Sequence, residues 1–435
     1  MSARTNPRGQ GSRFALSRLP VAAIIIMVMA AGVAIASIWG SGSSDEPKAA
    51  SATTASPDPC EDARENCASL RVGGREWRYS LMRAESPTKN TAILDLGGPG
   101  TTPLSGRMRL SDYRSLTELK KYNLLVIEEP WVTAKVSEPC QTAATVYYND
   151  VRSGGKKLAE SARSLNGACQ LGQGKWGFDA DDYSEVVTSI AGKEAIEPNG
   201  FVGFSFGIAR YNYLASTPAG EKLSWAVLAR PFPVGTDATS FVRQRASLIE
   251  KRFGKPPAAL QPASVSSRSL PVTSFDELSA IVGLEYAPDG DQDAVARAVT
   301  KAKDREVIGQ YSDNLWHRYG TDSISPAYLA QLDELCAATT ASDKLPAALE
   351  GHPYARVLAG TMLPCAGEPS APLDLKPVPT CVVASKGDPV VAGDASVALI
   401  RRTVKDASVV ESPKPSHQSQ DGLSSCLTKV VSSAA

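Results

Sequence analysis

Short apolar runs separated by longer amphipathic stretches dominate the chain from residue 92 onward. The runs are 92–96, 123–127, 201–204, 225–229, 381–384 and 408–410. Each is apolar on both faces, as a strand buried between two helical layers requires, and the intervals leave room for crossover helices. The pattern predicts an α/β fold with a mostly parallel sheet covered by helices. Upstream, 70–72 and 77–82 alternate apolar and polar side chains, predicting two short antiparallel leading strands.

Between 231 and 372 the strand pattern gives way to helical periodicity, over 239–253, 275–282, 294–317 and 327–338, with Pro- and Ser-rich joints at 256–262 and 364–372. A helical cap inserted into the sheet domain is expected. The core is thus expected in two parts, 60–230 and 373–435, with the cap at 231–372 between them.

The first sixty residues follow different rules. Arg4, Arg8, Arg13 and Arg18 precede an uninterrupted apolar run, and Asp45 and Glu46 follow it. A basic segment (1–18) on the cytoplasmic side, an anchor or signal (19–40) and a Ser/Ala/Pro-rich tether (41–59) are expected. About 20 apolar residues suffice to cross a bilayer and exceed the usual signal-peptide core, so a retained anchor is favoured over cleavage. The folded part then lies outside the cytoplasm, membrane-bound through 19–40, or secreted if the segment is removed.

Composition narrows the chemistry. With 46 basic and 46 acidic residues the net charge is zero, so no long-range field favours nucleic acid. Three histidines and no C-x-x-C pair leave the usual zinc patterns without ligands, and neither metal nor cofactor is expected. Eight cysteines, an even number, suit disulfides in an exported chain.

The candidate chemistry centres on Gly203-Phe204-Ser205-Phe206-Gly207, placed between a strand and a helix-compatible stretch. A nucleophilic serine on such a turn needs small residues two positions to either side, because neighbouring backbones come close. Ser205 is the expected nucleophile, and the amide of Phe206 at the helix N-terminus is an expected oxyanion donor. Leu96-Gly97-Gly98-Pro99-Gly100, after an earlier strand, offers a second donor, from Gly98 or from Gly97. The chain order of this architecture places an acid and then a base downstream. Asp388, at the end of the run 381–384, is preferred over Asp394, which reads as a helix cap. His417 follows the last strand, whereas His317 and His352 lie in the expected cap.

Taken together, Gly97-Gly98-Pro99-Gly100, the Ser205 elbow, Gly387-Asp388-Pro389 and His417 followed by Cys426 resemble the secreted actinobacterial tripeptidyl-aminopeptidase and proline-iminopeptidase group of α/β hydrolases. The likeness runs from about Cys60 to the C-terminus. It implies an exported, metal-independent serine exopeptidase with several disulfides, in which Ser205, His417 and Asp388 form the triad and Gly98 and Phe206 the oxyanion hole. Its substrates would be peptides with free N-termini. The chain departs from the group in three places. An Asp-x-Arg-Gly turn is replaced by Glu128-Glu129-Pro130-Trp131-Val132, the elbow tyrosine by Phe206, and the glycines beside the histidine by Ser416 and Gln418.

An exopeptidase also needs carboxylates to hold the substrate ammonium. Glu128, Glu129, Asp276, Glu277 and Glu285 are candidates, and none is singled out, so the substrate-binding residues stay unassigned. Sequence neighbours suggest the disulfides Cys60–Cys67, Cys140–Cys169, Cys336–Cys365 and Cys381–Cys426, one set among 105. Two alternatives remain: an esterase or lipase using the same machinery on small esters, and a non-catalytic envelope protein of the same fold that binds a partner in the pocket.

Overall fold

The computed structural model describes residues 65–104, 110–287, 292–318, 323–340, 352–365 and 373–433. The basic segment, the expected anchor and the tether lie outside these residues. Among the described residues, no helix is long and apolar enough to cross a membrane.

Strands β1 (Glu65–Val72), β2 (Arg75–Met82), β3 (Asn90–Asp95), β4 (Asn123–Ile127), β5 (Glu197–Phe204) and β6 (Trp225–Ala229) come first. A two-residue pair, β7 (Thr236–Asp237) and β8 (Thr339–Thr340), is followed by β9 (Thr380–Ser385) and β10 (Ser408–Ser412). The main sheet has the order β1-β2-β4-β3-β5-β6-β9-β10. Only β2 runs against its neighbours, and the remaining pairings are parallel. This is the α/β-hydrolase fold.

The alternation of side chains explains why the central strands read as unbroken apolar runs. Ile93, Leu125, Phe201, Leu228 and Val382 join the core on one face. Leu94, Leu124, Val126, Val202, Val227 and Val383 join a second core on the other, against Leu427 and Val430 of the terminal helix Leu423–Ser433. Both faces are covered, so neither can be polar.

Among the described residues between β6 and β9, the regular structure is helical apart from the β7–β8 pair and an isolated bridge between Ala263 and Val272. One expected helix is corrected. The stretch 294–317 is broken: the chain passes from Gln292–Arg297 through a π-helical segment, Ala298–Ala302, and turns at Lys303, where φ is +55°. Asp304 then caps a new helix, Arg305–Leu315, accepting from the amides of Glu306 and Val307. The helix Glu138–Ser153, from between β4 and β5, sends Arg152 to Asp276 at 3.0 Å and Tyr148 under Arg318, with 4.4 Å from guanidinium to ring centre.

Cys140–Cys169, Cys336–Cys365 and Cys381–Cys426 are bonded, which fits an oxidising, extracytoplasmic compartment. The remaining expected pair involves Cys60, outside the described residues. Cys381–Cys426 ties β9, which leads to Asp388, to the helix that follows His417. Both thiols are therefore expected to resist alkylation until the protein is reduced, as read by peptide mass spectrometry. Labelling of both in the unreduced protein would contradict this linkage.

Candidate active site

The carboxyl edge of the sheet gathers the residues singled out above. At the end of β5, Ser205 takes φ +47°, its amide donates to Ala229 O at 2.9 Å, and its carbonyl accepts from Phe232 N at 2.9 Å. The backbone on either side explains the small residues. A Cβ on Gly203 would fall 2.7 Å from the Phe201 ring, and one on Gly207 would fall 3.1 Å from Asp95 O. The helix Gly207–Ala215 then begins without a side-chain cap at Phe206. Its first amides carry the positive end of the helix dipole.

Strand β3 pairs directly with β5, so its glycine loop abuts the elbow. A Cβ on Gly97 would lie 2.2 Å from Phe204 O. The Gly97 amide donates to Asp95 Oδ1 at 3.0 Å and that of Gly100 to Glu129 Oε2 at 2.7 Å. Of the two glycines considered as oxyanion donors, Gly97 is thus engaged, and the Gly98 amide has no acceptor among the described residues.

Asp388 and His417 meet. His417 Nδ1 lies 2.8 Å from Asp388 Oδ2, and both side chains are buried. The other carboxylate oxygen, Oδ1, accepts from the amides of Val390 and Val391 at 2.8 and 3.2 Å, which fixes the carboxylate plane. Asp394 lies exposed in the first turn of Gly393–Thr403. The other histidines are engaged elsewhere. His352 caps Pro353–Gly360 and faces Glu250, while His317 bonds Gln331, with burial pushing its pKa down to about 4.

Arg230, unremarked in the sequence, clamps the histidine loop. Its guanidinium donates to Ser419 O and, at 3.0 Å, to Ser412 Oγ at the end of β10. In place of glycine, Ser416 turns the loop, its Oγ accepting from Gln418 N at 3.3 Å.

Ser205 makes no side-chain hydrogen bond with His417 among the described residues. Ser205 lines a pocket with Gly98, Phe232, Phe241, Arg245 and Tyr286, and Tyr286 in turn packs edge-on against the His417 ring at 6.2 Å. The pocket holds about 30 Å³, enough for a water or two and too little for an acyl group. A larger hollow of about 290 Å³, lined by Arg83, Pro87, Thr88 and Asn123, lies at the amino ends of β3 and β4, away from this chemistry.

Beneath the glycine loop lies a buried charge cluster. Arg210, from the elbow helix, meets Glu129 Oε1 at 2.6 Å, Glu334 Oε1 at 2.9 Å and Asp95 Oδ1 at 3.1 Å. Burial pushes Glu334 up to about 8, against the pull of Arg210 and with the help of Glu129. Glu129, in the loop where the resembled group carries its Asp-x-Arg-Gly turn, also accepts from Trp131 Nε1 at 3.0 Å. The arginine thus reaches this loop from the elbow helix.

The carboxylates considered for an ammonium anchor already have cations. Glu128 pairs with Arg78, Glu129 with Arg210, Asp276 with Arg152 and Arg268, Glu277 with Lys303, and Glu285 with Arg245. Burial pushes Glu285 up to about 7, although Arg245 opposes the shift.

No protein-family profile matches the chain, and no curated protein matches it in sequence. Solved structures do match. VinJ is 13% identical with a TM-score of 0.40, covering 85% of this chain and 99% of its own. A proline iminopeptidase-related protein from Thermus thermophilus is 13% identical with a TM-score of 0.40, covering 86% and 100%. MGS-M2, an alpha/beta hydrolase enzyme from a Medee basin deep-sea metagenome library, is 11% identical with a TM-score of 0.42, covering 84% and 96%. Likenesses at this level concern the fold and assign no substrate.

Proposed function

We propose that this chain is an exported serine hydrolase in which Ser205 attacks a substrate carbonyl, His417 takes its proton, and Asp388 orients the imidazole. The observation that carries the reading is the buried Asp388–His417 contact of 2.8 Å beside the pocket that the elbow serine lines. In the reaction, Ser205 Oγ bonds to the carbonyl carbon while its proton passes to His417 Nε2. The developing oxyanion is met by the Gly98 and Phe206 amides, and the leaving group departs with the proton from His417. Water, deprotonated by the same histidine, then releases the acid. Export rests on the N-terminal apolar run and the disulfides, with anchoring through 19–40 as the proposed attachment.

Between the finer readings, the pocket lining favours hydrolysis of a small ester, as by an esterase or lipase, over aminopeptidase action. A free substrate ammonium would meet Arg245, the one cation lining the pocket among the described residues, and none of the candidate carboxylates lines it. The test of the hydrolase reading is covalent labelling by a fluorophosphonate probe. The intact protein is expected to label and Ser205→Ala is expected to lose the signal. Labelling that does not depend on Ser205, or none at all, would favour the non-catalytic binding protein.

A further inference from the structure

The one cationic side chain among the described residues lining the pocket is Arg245, from the cap helix Ala238–Phe253. It is only 8% exposed. Its Nη2 donates to Glu285 Oε2 and, at 3.2 Å, to the Tyr286 hydroxyl. Neither Nε nor Nη1 has a hydrogen-bond partner among the described residues, and Nε is buried. A guanidinium taken out of water at this depth and left with free donors is costly unless an acceptor completes it. Its remaining neighbours are the faces of Phe241 and Tyr286, at 5.5 and 6.0 Å, which accept no in-plane hydrogen bond.

The charges around it are arranged in two layers. Glu285 and Asp388 are fully buried behind Arg245 and His417 and do not line the pocket, and Arg252 adds a more distant cation that acts on Glu285. The polar residues that line the pocket beside Arg245 are Ser205, Gln331, Thr361 and the Tyr286 hydroxyl, and none of them is anionic. Apolar walls from Phe232, Leu335, Met362 and Val390 fill the space between.

We propose that Arg245 is a specificity residue that selects substrates carrying a carboxylate on the acyl portion, the carboxylate accepting from Nη1. The proposal rests on the reading of Ser205 as nucleophile. A charge-assisted hydrogen bond to a guanidinium is stronger than a neutral one, and a site built for such a partner discriminates strongly against analogues that lack it.

The experiment compares nitrophenyl esters of glutaric, pentanoic and 5-aminopentanoic acids, which present an anionic, a neutral and a cationic acyl end. The wild type is expected to prefer the glutaric half-ester by about tenfold or more in kcat/KM over the neutral ester, mostly through KM, and to use the cationic ester least. Arg245→Met should collapse the anionic-to-neutral ratio towards one, and Arg245→Lys should retain part of it. Because Arg245→Met strands buried Glu285, the double replacement Arg245→Met with Glu285→Met removes the pair as a unit and serves if the single variant does not fold. Calorimetric binding of glutarate to Ser205→Ala separates the two readings. Arg245-dependent binding without any hydrolysis by the wild type would sink the nucleophile and leave the anion site standing. No glutarate binding, a wild-type preference for the neutral or cationic ester, or a ratio unchanged in a folded Arg245 variant would each overturn the proposal.

Discussion

Asp388→Asn is expected to lower kcat by about 10⁴-fold while leaving the fold intact. The reason lies in the two amides that hold the carboxylate. Oδ1 of Asp388 accepts from Val390 N and Val391 N, and only Oδ2 faces His417. An asparagine must keep its carbonyl oxygen toward those two donors, which turns its NH₂ toward Nδ1 of the imidazole. A donor there forces Nδ1 to accept, so the remaining ring proton moves to Nε2, the nitrogen required as the base for Ser205. The side chain is isosteric and its turn contacts survive, so the thermal midpoint should move little. Steady-state hydrolysis of an activated aryl ester, with the melting temperature measured alongside, checks this. A loss of less than about tenfold would show that the Asp388–His417 contact is structural.

The parts of the fold that could be read from the sequence are those whose burial is two-sided. The runs 123–127 and 225–229 coincide with β4 and β6 residue for residue because every position there is buried. Amphipathic stretches were less decisive. The stretch 294–317 keeps helical spacing across Lys303, and the signal of the break was Asp304, whose carboxylate serves as an N-cap to the following amides. Helix Glu138–Ser153 gave no local sign of its contact with the inserted helices, since its Arg152 meets Asp276, 124 residues further along the chain. Asp388 and His417 could be chosen by chain order, and they are in contact. Arg230 and Arg210 could not, because their partners are scattered: Arg210 draws Asp95, Glu129 and Glu334 from three separate segments, and locally it is one more polar residue on a helix.

That scattered cluster carries the other large expected effect. Arg210→Met should destabilise the fold by about 3–5 kcal/mol, because it leaves buried carboxylates without their shared cation. Asp95, Glu129 and Glu334 all bond this one guanidinium, so even the intact cluster carries more negative than positive charge when fully ionised. Burial accordingly raises Glu334 to about 8 from an ordinary value of 4.5. The sign follows from linkage. The folded chain retains on Glu334 a proton that the unfolded chain has released, so stability falls as pH rises between these two values. The wild type should therefore melt lower at pH 8.5 than at pH 6, and Glu334→Gln should flatten that slope. In Arg210→Met the carboxylates can only be accommodated protonated, so the deficit should shrink at pH 5 and grow at pH 8.5. Activity should fall with stability, since Asp95 and Glu129 also receive the amides of Gly97 and Gly100 on either side of Gly98. Chemical denaturation at the two pH values decides the matter. A cost below about 1 kcal/mol, or one that does not change with pH, would mean that solvent reaches these carboxylates and that the glycine loop is held by packing alone.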